Sequence, residues 1–241
     1  MLRAWRDAIE MVPGYDPAMS EDPEGALFAA IDTGDGEKVR RLVAADAGLA
    51  AARNANGVSA ILHALYRGRR PLAEMLADAR PALDVFEAAG LGRAAALETL
   101  LGADPSLAAD WSADGFTALH FAAFFGGDEA AAALVAAGAD PDLRSHNDFS
   151  VMPLHSAAAG AHSAVVAILL DAGADPNVRQ PGGFTPLHGA AQNDDDASAE
   201  RLLAAGADPA AATDDGRTPD DLAREAGHAG LADRLAAARG R

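Results

Sequence analysis

Seven histidines, thirty-six Asp and Glu, and no cysteine are distributed along 241 residues. Metal binding, acid and base catalysis, and anion capture are the chemistries these side chains could perform. A zinc site needs three or four ligands converging on one point. His63 and His146 share no segment and have no Cys beside them, so no metal is expected. The runs Asp194-Asp195-Asp196, Asp214-Asp215 and Asp220-Asp221 could do general acid and base work only if burial or a close partner split their pKa values. They fall at turns and helix starts, where acids favour the positive end of the helix dipole. A solvated or capping role is expected for them, with cation binding by the triple Asp as the alternative. His63, Tyr66, Arg67, Arg69 and Arg70 form a short basic cluster that could hold an anion. No glycine-rich phosphate loop, Ser-His-Asp pattern or dinucleotide fingerprint occurs between a strand and a helix, so no cofactor and no enzyme activity are expected.

Composition narrows the partners. The net charge of −17 repels phosphate backbones and anionic lipid, which excludes nucleic acid and membrane surfaces as expected partners. No apolar run reaches the roughly 18 residues of a membrane span, and the start "MLRAWRDAIEMVPGYDP" lacks the apolar core of a secretory signal. Together with the missing cysteines, this reads as a soluble cytoplasmic protein, a monomer by default. A single lysine, Lys38, beside 18 arginines reads as a GC-rich bacterial genome. With 8 Phe, 2 Trp and 2 Tyr, the core must be built of Ala, Leu and Val, which suits closely packed helices.

Those helices are spelled out by a repeat. Leu-His pairs stand at 119–120, 154–155 and 187–188, and each histidine is followed 18 residues later by Gly-Ala-Asp. A fixed offset inside a period near 33 marks a repeat array. In "TPLH", threonine caps a helix and proline fits its first turn. A short helix of small residues follows, then a turn, then a second helix stopped by the glycine of "AGAD", then an extended finger leading to the next cap. Counting by the turn between helices places units at Gly34, Gly68, Gly92, Gly126, Ala161, Asp194 and Gly227. One step, from Gly68 to Gly92, is only 24 residues, so a finger is missing near residues 78–82.

The stretches "GFTALHFAAFFGG…LVAAGADPD", "MPLHSAAAGAH…ILLDAGADPNVR" and "GGFTPLHGAAQ…RLLAAGADPA" resemble ankyrin repeats. The resemblance implies an all-α solenoid with short β-hairpin-like fingers, about seven units over residues 24–238, with unit two truncated and a capping unit at 216–238. It also implies that His120, His155 and His188 tie neighbouring loops by hydrogen bonds, and that residues 162 and 228 occupy a second slot commonly filled by histidine. Phe28, Leu62 and Phe86 take the histidine slot in units one to three. Residues 1–23 precede the array, with Leu2, Trp5, Ile9 and Val12 on one face of an expected helix and a linker behind it.

Such repeats bind proteins along the fingers and first helices, so the expected function is a non-catalytic protein-binding scaffold. The positions left free by the fold are Trp111, Phe116, Phe124, Phe125, Arg144, Phe149, Arg179, Phe184, Gln192 and Asn193, and the Phe series serves either as an interface or as packing between fingers. Two other readings stand beside it: an anion or small-molecule notch at unit two lined by the basic cluster, and self-assembly through the N-terminal helix.

Overall fold

Wherever the residue that closes a helix pair is described, it lies in the left-handed region, and it is most often glycine. The computed structural model describes residues 22–125 and 127–240, and within them fourteen α-helices and no sheet. They form seven antiparallel pairs: α1 (Pro23–Thr33) with α2 (Gly36–Ala45), α3 (Ala60–Tyr66) with α4 (Arg70–Asp78), α5 (Val85–Leu91) with α6 (Ala94–Ala103), α7 (Ala118–Phe125) with α8 (Asp128–Ala136), α9 (Pro153–Ala159) with α10 (Ser163–Asp171), α11 (Pro186–Gln192) with α12 (Asp196–Ala204), and α13 (Pro219–Glu225) with α14 (Ala229–Arg239). The expected helix over residues 2–12, and the self-assembly reading that depends on it, lie outside the described residues, as does Gly126. Six of the seven turn residues are described, and all six have positive φ, including the non-glycines Ala161 (57°) and Asp194 (56°).

Four residues before each turn stands an alanine, Ala30, Ala64, Ala88, Ala122, Ala157, Ala190 and Ala223, whose carbonyl accepts the N–H that follows the turn. All seven are buried. Their small side chains let successive first helices lie against one another, so that α1, α3, α5, α7, α9, α11 and α13 stack in order. Among the second helices, α6, α8, α10 and α12 pack in the same way. Leu119, Leu154, Leu187 and Leu222 on the inner layer, and Leu97, Leu134, Leu169 and Leu202 on the outer, are fully buried between units. Truncating any one to alanine removes about 2 to 5 kcal/mol.

Fingers connect all pairs but one. Each closes with a short hairpin-like turn: Asn54 to Val58, Ser112 to Phe116, Ser145 to Val151, Gln180 to Phe184 and Thr213 to Arg217 are joined by backbone hydrogen bonds. Between α4 and α5 there is instead a tight link, residues 79–84, with α5 starting at the Asp84 cap. Here the stack is offset: α4 and α6 make little direct contact, unlike the outer helices that follow. A cleft of about 710 Å³ opens between their ends, lined by Ala77, Pro81, Leu83, Arg93 and Ala96 among others.

On the finger side the gap is closed. The finger tips on either side of the missing one touch, since a Cβ added to Gly57 would lie 2.8 Å from Cβ of Ala113. Arg53 reaches Asp84 at 2.8 Å. The expected notch lined by His63, Tyr66, Arg67, Arg69 and Arg70 is therefore corrected: none of these five lines the cleft.

Candidate functional site

The motif histidines hold the fingers that carry the site. His120 Nδ1 accepts the Thr117 hydroxyl at 2.8 Å, and its Nε2 donates to Val151 O on the next finger at 3.1 Å. His188 repeats this with Thr185 at 2.8 Å and Arg217 O at 3.2 Å. In unit five Met152 replaces the threonine, so His155 accepts only the Met152 backbone N–H while donating to Phe184 O at 3.2 Å. Burial holds the imidazoles below their ordinary range, His120 and His155 down to about 4 and His188 in the same direction, with the carbonyl bonds opposing. They are neutral links between units.

Unit three caps its first helix with a different residue. Glu87 occupies the third helical position behind the Asp84 cap, and the two form a reciprocal capping box. Counting from the turn puts Phe86 in the histidine slot because α5 is one residue shorter between cap and turn; the capping role falls to Glu87.

The second slot ties units backward. His162 Nε2 donates to Phe124 O at 3.0 Å and His228 Nε2 to Gln192 O at 3.2 Å. Asn193 spends its amide on Ala158 O and Ala159 O, both at 3.0 Å, so this expected contact residue serves the stack. Finger arginines behave likewise. Arg144 donates to Ser150 O at 2.7 Å and to Arg179 O at 3.2 Å, and Arg179 to Ala212 O at 2.7 Å. They stitch each finger to the next.

The basic cluster of unit two is also engaged. Asp32 accepts from both His63 Nε2 and Arg67 Nε at 2.7 Å. Burial lowers the His63 pKa, against the pull of Asp32. Arg70 donates to the carbonyls of Gly90, Leu91 and Phe125, capping the ends of α5 and α7. The Arg69 side chain lies over Gly34. Among the described residues no group of His, Asp and Glu could hold a metal ion.

What the structure brings together instead is aromatic. Phe121 is the hub, with ring centroids 6.2 Å from Tyr66, 6.1 Å from Phe86, 5.9 Å from Phe116 and 6.5 Å from Phe125. Phe124 meets Phe125 at 5.1 Å, and Phe149 stacks on Phe116 at 6.4 Å. Phe116 and Phe121 are buried, which assigns Phe116 to packing, whereas Tyr66, Phe86, Phe124, Phe125 and Phe149 are half-buried. The Tyr66 hydroxyl donates to Asp114 at 2.5 Å. Burial first, and then the Asp114 carboxylate, keep that phenol well above its ordinary range, so it stays a donor. On the fingers Trp111 stacks on His146 at 3.6 Å. Phe184 stands apart, edge-on to His188 at 5.8 Å, and Gln192 sits half-buried at the end of α11.

Tyr66, Phe86 and Phe121 were not among the residues expected in this patch. Register could have found Tyr66, which stands two residues before its turn as Phe124 and Gln192 do. Phe86 and Phe121 lie in positions that the repeat pattern treats as core.

No helix among the described residues is long and apolar enough to cross a membrane. A comparison with curated proteins finds no match. A family model described as "Ankyrin repeats (3 copies)" matches residues 85–180 and 154–240. With well over half its length under that model, and with its helix pairs, histidine ties and fingers in register, the chain belongs to the ankyrin repeat family.

Proposed function

We propose that the chain is a non-catalytic protein-binding scaffold that receives a partner on its inner face across units two to four. One observation carries the reading. Of twelve aromatic residues, seven form one connected cluster spanning three units, and five of the seven keep part of their surface in solvent. A stack of helices needs no aromatic there, since the equivalents of Phe121 in units five to seven are Ser156, Gly189 and Leu222, and those of Phe125 are Gly160, Asn193 and Ala226. Aromatics at a rigid surface are the anchors that interfaces favour, and a preorganised solenoid spends little entropy on binding.

The test is capture from the native host, comparing wild type with Phe124→Ala, Phe125→Ala and Phe149→Ala combined. Phe116 is left intact because it is packing. A protein enriched by wild type and lost by the variant, with the helical circular dichroism of both unchanged, supports the reading. Equal recovery by both sinks it. The anion-notch alternative is not carried forward, because Arg67 and Arg70 are already bonded within the fold.

A further inference from the structure

We infer that the segment received at this surface is cationic, bearing Arg or Lys among apolar side chains; this rests on the scaffold reading above. Two fingers flank the aromatic cluster, and each places a carboxylate next in sequence to a half-buried aromatic: Asp110 before Trp111, and Asp148 before Phe149. Both carboxylates are exposed, and neither has a hydrogen bond or ion pair to its side chain among the described residues. Most other finger and cap acids differ. Asp84, Asp114, Asp215 and Asp221 are each engaged by a cation or a hydroxyl.

The surroundings do not supply the missing cations. Residues 110–214 contain fifteen Asp and Glu against three Arg, and two of the three are directed at finger carbonyls. A negative field over a rigid aromatic face draws a positive segment and rejects an acidic one. The aromatic rings add to this, because an Arg or Lys over a ring face gains electrostatic attraction. The stack of Trp111 on His146 at 3.6 Å and 15° already joins the two fingers through one planar contact. An apolar side chain toward Tyr66 and Phe125, with basic residues on Asp110 and Asp148, satisfies both features together.

Selection of a random displayed peptide library on the immobilised full chain tests the inference. Enriched peptides should combine Arg or Lys with Leu, Phe or Trp. Their affinity should fall about tenfold as salt rises from about 50 to about 300 mM. Asp110→Asn with Asp148→Asn should weaken them about tenfold, whereas Asp128→Asn with Glu129→Gln, on an outer helix, should change them less than about twofold. Equal weakening by the two pairs means attraction to the bulk charge and overturns the inference. Enrichment of acidic or uncharged peptides that Phe125→Ala with Phe149→Ala no longer binds overturns it while leaving the scaffold reading in place. Peptides that bind that aromatic variant as tightly as wild type overturn both, as does a library that yields no binder.

Discussion

A histidine that accepts from its own helix cap and donates to the next finger works only while neutral, because the bond at Nδ1 needs a lone pair. His120 and His155 have folded-state pKa values of about 4 against an unfolded value of about 6.5. The unfolded chain therefore binds protons more readily between these values. Stability is full above about pH 6.5 and is lost as pH falls toward 4. By pH 5 the loss is about 2 kcal/mol for each of the two. Urea titrations at pH 7 and pH 5 measure it, and His120→Gln should be less stable at pH 7 yet show a shallower pH dependence. A second residue carries strain that a glycine removes. Ala161 closes its turn at φ 57°, where an L side chain costs about 1 kcal/mol. Ala161→Gly should raise the unfolding free energy from a urea titration by up to about that amount, with the m-value unchanged. The histidine role was legible because the repeat fixes its slot; Glu87 was hidden because one residue fewer between cap and turn shifts the count.

At the scale of elements, the link over residues 79–84 replaces a finger with an ion pair. Glu87 has no exposed surface, and Arg80, mostly covered itself, donates to it at 2.5 Å. Glu87 also closes the capping box with Asp84. Removing one partner of a buried pair leaves the other charge uncompensated, at a cost of about 3 to 5 kcal/mol. Arg80→Ala should show a loss of that order by thermal or urea unfolding, and adding Glu87→Gln should recover part of it, since the neutral amide needs no cation. The short link was legible in the 24-residue step. Its consequences were not. An open notch follows from counting missing residues, but Gly57 allows the neighbouring finger to close against Ala113 and Arg53 to reach Asp84. These contacts span 56 and 31 positions, and no local spacing encodes them. The aromatic cluster has the same character: Phe124 and Phe125 were visible from their register, whereas their joining to Tyr66 and Phe86 depends on how three units stack.

Across the whole molecule, stability of a repeat array is a sum of unit terms and interfaces between neighbours. From unit three onward an interface includes the inner helices, the outer helices and a finger held by backbone or histidine bonds, though the last pair of outer helices contributes little. The junction of units two and three has no finger of its own, and α4 and α6 barely touch. It relies on side-chain ties: Arg53 to Asp84, Tyr66 to Asp114, Arg70 to three carbonyls, and Arg93 to Glu74. Several of these are half-exposed, and exposed pairs contribute only about 0 to 1 kcal/mol each. The junction is thus the weakest described interface in the central stack, and α1 to α4 should open as a unit before the rest. Hydrogen exchange in about 1 M urea should release amides of residues 22–78 together, while α7 to α12 stay protected. Tyr66→Phe, which removes one tie to a carboxylate worth about 1.5 to 3 kcal/mol, should advance only that first opening. If residues 22–78 instead exchange with the remainder in one step, the ties fully compensate for the absent finger. The aromatic face, which draws Tyr66 from one side of this junction and Phe121 and Phe125 from the other, would then be rigid. If the opening is separate, a partner that grips both sides must also hold the junction shut, and its binding should slow exchange over residues 22–78 more than anywhere else.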